Sequence, residues 1–138
     1  MFGWFIGRKV WKNLSKDIRR VRTTQSLEIQ KAMARQLANL MASVEGTGKS
    51  GGIPSAIRAA EKMLKQATKD RHHAVSTTEP YSAAWLRAAI AENWAIARVT
   101  SLRGKISMKA FRRVDAAVSE FLLETLGPKE VASIIQKD

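Results

Sequence analysis

The chain has 138 residues, with 24 Lys and Arg against 12 Asp and Glu, for a formal net charge of +12. Its hydrophobic fraction of 45 % is enough to fill a single-domain core, which excludes a wholly disordered basic tail. There is no cysteine, which excludes a disulfide scaffold, a cysteine nucleophile and thiolate metal sites.

The first periodic segment runs from about Trp4 to Val21. Trp4, Gly7, Trp11, Leu14, Ile18 and Val21 recur at alternating spacings of three and four, the signature of one helical stripe. Phe2, Phe5, Ile6 and Val10 widen that stripe at its start, while Lys9, Lys12, Lys16, Arg19 and Arg20 fall largely off it. After cap or turn chemistry at Thr23, Thr24 and Ser26, a second helix is predicted from Leu27 to Val44. Its buried stripe comprises Ile29, Met33, Leu37, Leu40, Met41 and Val44. Residues Gly46 to Gly52 include four glycines, and a mobile loop is expected there.

Pro54 suits the first turn of a third helix, whose apolar face is Ile53, Ile57, Ala60, Leu64 and Ala67. The polar run at Ser76, Thr77 and Thr78, followed by Glu79-Pro80, marks the next boundary. From Ser82 to Ser101 a fourth helix is apolar around much of its circumference, as the most central helix of a bundle would be. A basic break at Leu102 to Lys105 precedes a fifth helix capped by Ser107, with Met108, Phe111, Val114, Val118, Phe121, Leu122 and Leu126 expected inward. Gly127-Pro128 ends it, and Val131, Ile134 and Ile135 belong to a last short helix covering the core. No segment reads as a strand. The predicted fold is all-α: a small multi-helix bundle (23–138) with a basic amphipathic N-terminal helix or arm (1–22).

The motifs that suggest chemistry are weak. Gly46-Thr47-Gly48-Lys49-Ser50 resembles the end of a phosphate-binding loop, but the spacing requires glycine at position 43, which is Ser. His72 and His73 are adjacent and so do not share a helical face for chelation. Glu92 stands within an apolar helix with no second acid or base in register. No catalytic residue, cofactor, metal or small-molecule substrate is expected.

Charge placement carries more information. Residues 1–22 hold seven basic side chains against Asp17 alone, and 98–113 hold six with no acid. The segment after Arg113 reverses the balance. Such polarity attracts polyanions. The expected function is a non-enzymatic helical adaptor or structural subunit that docks into a larger assembly, with an anionic membrane surface as one candidate. Phe2, Trp4, Phe5, Ile6 and Trp11 would supply apolar contacts. Arg8, Lys9, Lys12, Lys16, Arg19 and Arg20 would meet the acidic partner. The alternative is nucleic-acid binding through Arg98, Arg103, Lys105, Lys109, Arg112 and Arg113. The apolar opening stops at Arg8 and its charges follow rather than precede it, unlike a secretory signal. The expected location is therefore the cytoplasm, with the inner face of a membrane as the peripheral option.

Overall fold

The computed structural model describes the backbone of residues 2–135 and the side chains of 5–135, so the expectations for the Phe2 and Trp4 side chains lie outside the described residues. Five helices and no strand occur among the described residues: α1 (Phe2–Thr24), α2 (Leu27–Thr77), α3 (Ala83–Leu102), α4 (Met108–Leu126) and α5 (Pro128–Ile135). Serine begins three of them. The hydroxyls of Ser26, Ser82 and Ser107 accept from the amides of Ile29, Trp85 and Ala110 at 3.3, 3.2 and 3.1 Å, satisfying one orphan donor each. Gly127 ends α4 at a φ of 85°, its amide donating to the Leu123 carbonyl at 2.9 Å, and Pro128 opens α5 where no amide proton is needed.

The expected loop at 46–52 is the main correction to the sequence reading. Residues 46–51 are helical, and the break is confined to Gly52, at φ 78° and ψ −172°. That backbone region is essentially closed to residues with a Cβ. Here α2 folds back on itself as two antiparallel arms, with Leu40, Val44 and Thr47 facing Ala59, Met63 and Gln66 across a groove. Two of the other glycines serve proximity rather than mobility. A Cβ on Gly48 would stand 3.0 Å from that of Ala56, and one on Gly51 would collide with Ser55. Pro54 sits in the first turn of the second arm, as expected.

α3 is the axis of the bundle and touches α1, α2 and α4. Leu86, Ile90, Ala91, Trp94, Ala95 and Ala97 are buried on several sides of it. α1 contributes Val10, Leu14, Ile18 and Val21, and α4 contributes Phe111, Val114, Val118, Phe121 and Leu122. α5 lies along the first arm of α2, with Arg35 paired to Glu130, and Ile134 and Ile135 packed on the core. No helix among the described residues is long and apolar enough to cross a membrane.

The corrected turn is tested by two glycine substitutions read by urea unfolding. Gly52→Ala is expected to cost about 1–3 kcal/mol because it forces a Cβ into a glycine-only conformation. Gly46→Ala, which meets nothing within 4 Å, is expected to stabilise by about 0.5–1 kcal/mol through helix propensity. A mobile loop would leave both changes near zero.

Candidate functional site: one basic end and one polar cleft

α1 and α4 run side by side in the same direction. A Cβ on Gly7 would stand 3.2 Å from that of Ala110, and the Arg113 guanidinium lies 3.9 Å over the Trp11 ring. Farther along, Ser15 and Ile18 line one groove with Ala117, and Arg22 pairs with Glu124 at 2.8 Å. Both helices therefore begin at the same end of the bundle. The two basic segments, distant in sequence, merge there into one surface. Arg8, Lys9 and Lys12 from α1 and Lys109, Arg112 and Arg113 from α4 are exposed, with Lys105 in the turn before α4. Phe5, 62 % exposed, and Met108, 50 % exposed, are apolar side chains at the starts of these helices; contrary to the inward placement expected from sequence, Met108 in the first turn of α4 faces out. The N-terminal ends of α1 and α4 add their dipoles to the same positive field.

Not every predicted basic residue belongs to this surface. The Arg98 side chain is only 15 % exposed; its Nη2 donates to Glu45 at 3.0 Å and its guanidinium lies 4.6 Å over Phe111. Arg103 pairs with Glu61 at 3.0 Å. These two arginines tie the C-terminal end of α3 to both arms of α2. On α1, Lys16 and Arg19 are exposed on later turns, whereas Arg20 turns sideways: its Nη1 donates to Asp17 at 3.0 Å and its guanidinium lies 4.0 Å over Tyr81. Of the predicted apolar contacts, Ile6 and Trp11 are half-buried against the bundle, and Phe5 faces outward.

Arg20 closes one side of a second feature, which the sequence did not reveal. A cleft of about 290 Å³ lies between α1, α3 and the second arm of α2. Asp17 and Asn93 line it although they are only 5 % and 9 % exposed. Glu92, also in the lining, accepts from Thr68 Oγ1 at 2.7 Å and from Arg71 Nε at 2.9 Å. Tyr81 and Trp85 form an edge-to-face pair with centroids 5.0 Å apart at the cleft's aromatic wall. Burial pushes the Asp17 carboxyl above the usual aspartate range, against the opposing pull of Arg20 and Lys16. The helical spacing of Asn13, Lys16, Asp17 and Arg20 was visible in the sequence, but the residues opposite them across the cleft begin only at Arg71.

The remaining motifs have ordinary surroundings. Lys49 is exposed on a helical arm, where the amides of 46–51 serve the helix instead of a phosphate cradle. His72 and His73 are exposed near the end of α2, and the Nε2 of His72 is 3.5 Å from Arg71 Nη2. Among the described residues no group of three or more His, Cys, Asp or Glu side chains could hold a metal ion. No family model, curated protein or solved structure matches this chain.

Asp17 yields a pH prediction. A carboxyl raised on folding makes the folded state bind the extra proton, so its contribution is most favourable at low pH and declines as pH rises from the ordinary aspartate value through the raised one. Asp17→Asn removes that decline. The stability difference between variant and parent should therefore shift in the variant's favour between about pH 4 and neutrality. Urea midpoints measured across this interval check it; a shift toward the parent would show that the Arg20 pair outweighs desolvation.

Proposed function

We propose that the protein is a non-catalytic docking module that attaches a helical bundle to an anionic membrane surface through the end where α1 and α4 begin. The observation that carries this reading is the side-by-side start of the two basic helices, marked by the contact of Gly7 with Ala110 and of Arg113 with Trp11. A lipid headgroup layer offers a plane of phosphates, and a basic collar around exposed apolar side chains matches both its charge and its depth. Each Lys or Arg near an anionic leaflet contributes about 1 kcal/mol, so a surface of six or seven binds where either segment alone is marginal. Phe5 supplies the apolar contact that a purely electrostatic attachment lacks. The rest of the α1 stripe is committed to the core, so the docking element is a surface of the folded bundle and not a detached amphipathic arm. Held there, the protein would present its opposite end, where α4 finishes with Glu120 and Glu124, to other components of an assembly.

Nucleic-acid binding is the rival. It keeps Lys105, Lys109, Arg112 and Arg113, but Arg98 and Arg103 are already engaged with Glu45 and Glu61. It also gives no use to an exposed Phe5 beside the patch.

Vesicle co-sedimentation separates the two. On vesicles of mixed anionic and zwitterionic lipid, Lys9→Glu/Lys12→Glu and Lys109→Glu/Arg112→Glu should each weaken binding at least about 30-fold, because each removes roughly 2 kcal/mol of attraction. Phe5→Ser should weaken vesicle binding as well while leaving any oligonucleotide binding unchanged. Tight, salt-sensitive oligonucleotide binding without vesicle binding would replace the membrane reading with the nucleic-acid one.

A further inference from the structure

The cleft between α1, α3 and the second arm of α2 has no part in the docking surface, yet it contains the features of a built polar site. Asp17 is 5 % exposed and only its Oδ1 has a protein donor among the described residues, Arg20 at 3.0 Å. Asn93, 9 % exposed, spends its Nδ2 on the Ala89 carbonyl at 2.9 Å, and its carboxamide oxygen receives no protein donor among the described residues. Two largely buried side chains thus turn acceptor oxygens with spare capacity toward the open cleft, where water or a ligand can complete them. The aromatic wall is held at a conformational cost. Tyr81 adopts a φ of 57°, a left-handed backbone unusual for a bulky residue, and its ring there packs between Arg20 and Trp85.

The chemistry of the lining selects the ligand class. A carboxylate beside the face of an aromatic ring is a setting for a cationic nitrogen, and Arg20 marks the position by bonding to Asp17 while lying over Tyr81. Its side chain is 38 % exposed, so it can swing into water and yield the place. A simple cation is nevertheless a poor match for the whole cleft, because Lys16, Arg20 and Arg71 outnumber Asp17 and Glu92. The ligand must bring a negative group as well. Arg71 uses Nε on Glu92 and has Nη2 beside His72 Nε2 at 3.5 Å, which leaves Nη1 to meet another acceptor, with the exposed Lys16 at the rim. The volume of about 290 Å³ is at the small end of ligand sites. We propose that this cleft binds a compact zwitterion of the amino-acid class. Its ammonium group sits against Asp17 and the Asn93 oxygen, and its carboxylate faces Arg71 and Lys16.

The test is a titration of the full-length protein followed by amide chemical shifts, with each free protein amino acid, methylammonium and acetate as separate probes. At least one amino acid should give saturable shifts centred on Tyr81, Trp85 and Asn93, with methylammonium and acetate giving none at the same concentration. Asp17→Asn should weaken that binding by about tenfold or more, the loss of one charge-assisted hydrogen bond. Tyr81→Gly relieves the backbone and removes the wall, so it should weaken binding to a similar extent while the unfolding midpoint shows that the bundle persists. Absence of saturable shifts with every amino acid, equal binding of acetate, or unchanged affinity in Asp17→Asn overturns the proposal. None of these outcomes bears on vesicle attachment.

Discussion

A helix that is apolar around most of its circumference has to be covered from several directions at once, and α3 imposes that requirement on the whole chain. Trp94, 1 % exposed, stands at its middle, with Nε1 donating to Asp115 on α4 at 2.9 Å and the ring meeting Phe111 edge-on at 6.1 Å. Buried donors of this kind need a partner, so Asp115 helps to fix the register of α4 alongside the surrounding hydrocarbon. On other sides Glu92 reaches Arg71 and Thr68 from the second arm of α2, and Arg98 reaches Glu45 on the first. The α2 hairpin, closed at Gly52, is the device that lets one continuous stretch of sequence cover α3 with two arms.

The merged basic surface follows from this coverage. α1 packs antiparallel to α3, since Arg20 meets Tyr81 at one end while Asn13 lies near Glu92 and Asn93 farther along. α4 packs antiparallel to α3 as well, pairing Trp94 with Asp115 and Arg98 with Phe111. Two helices antiparallel to a third are parallel to each other, so their basic beginnings must lie at one end. Neither segment's own composition dictates this. It is a consequence of topology, and it converts two modest charge runs into one surface. The same arrangement places the acidic finish of α4 at the opposite end and leaves the Asp17 cleft on the flank, closer to the start of α3.

Much of the architecture was legible in the sequence because helical periodicity is a local signal. The stripe Leu14, Ile18 and Val21, the serine caps, the Gly127-Pro128 stop and the central position of α3 all rest on spacing or cap chemistry within a few residues. The glycine-rich stretch was misjudged because composition does not distinguish glycines that loosen a chain from glycines that let two helices touch. Gly48 against Ala56 is a contact eight residues apart whose geometry appears only once the hairpin closes. The charges show a similar limit. Arg98 and Arg112 look alike in sequence, but one is drawn under Glu45 and over Phe111 while the other stays on the surface. The cleft was invisible for the same reason: Asp17, Tyr81 and Glu92 acquire a common purpose only through long-range packing.

The central claim is that the bundle docks as a folded unit, with α1 lying against α4. The absence of native cysteines makes a direct test possible, since a single engineered pair, Gly7→Cys with Ala110→Cys, sets the two Cβ atoms 3.2 Å apart, a few tenths of an ångström inside the usual disulfide span of about 3.5–4.5 Å, which a small separation of the helices supplies. The oxidised protein should form this bridge readily and bind anionic vesicles as tightly as its reduced form. Failure of the bridge to form, or loss of vesicle binding once it has formed, would contradict the account by showing that α1 lies elsewhere or must leave the bundle to act.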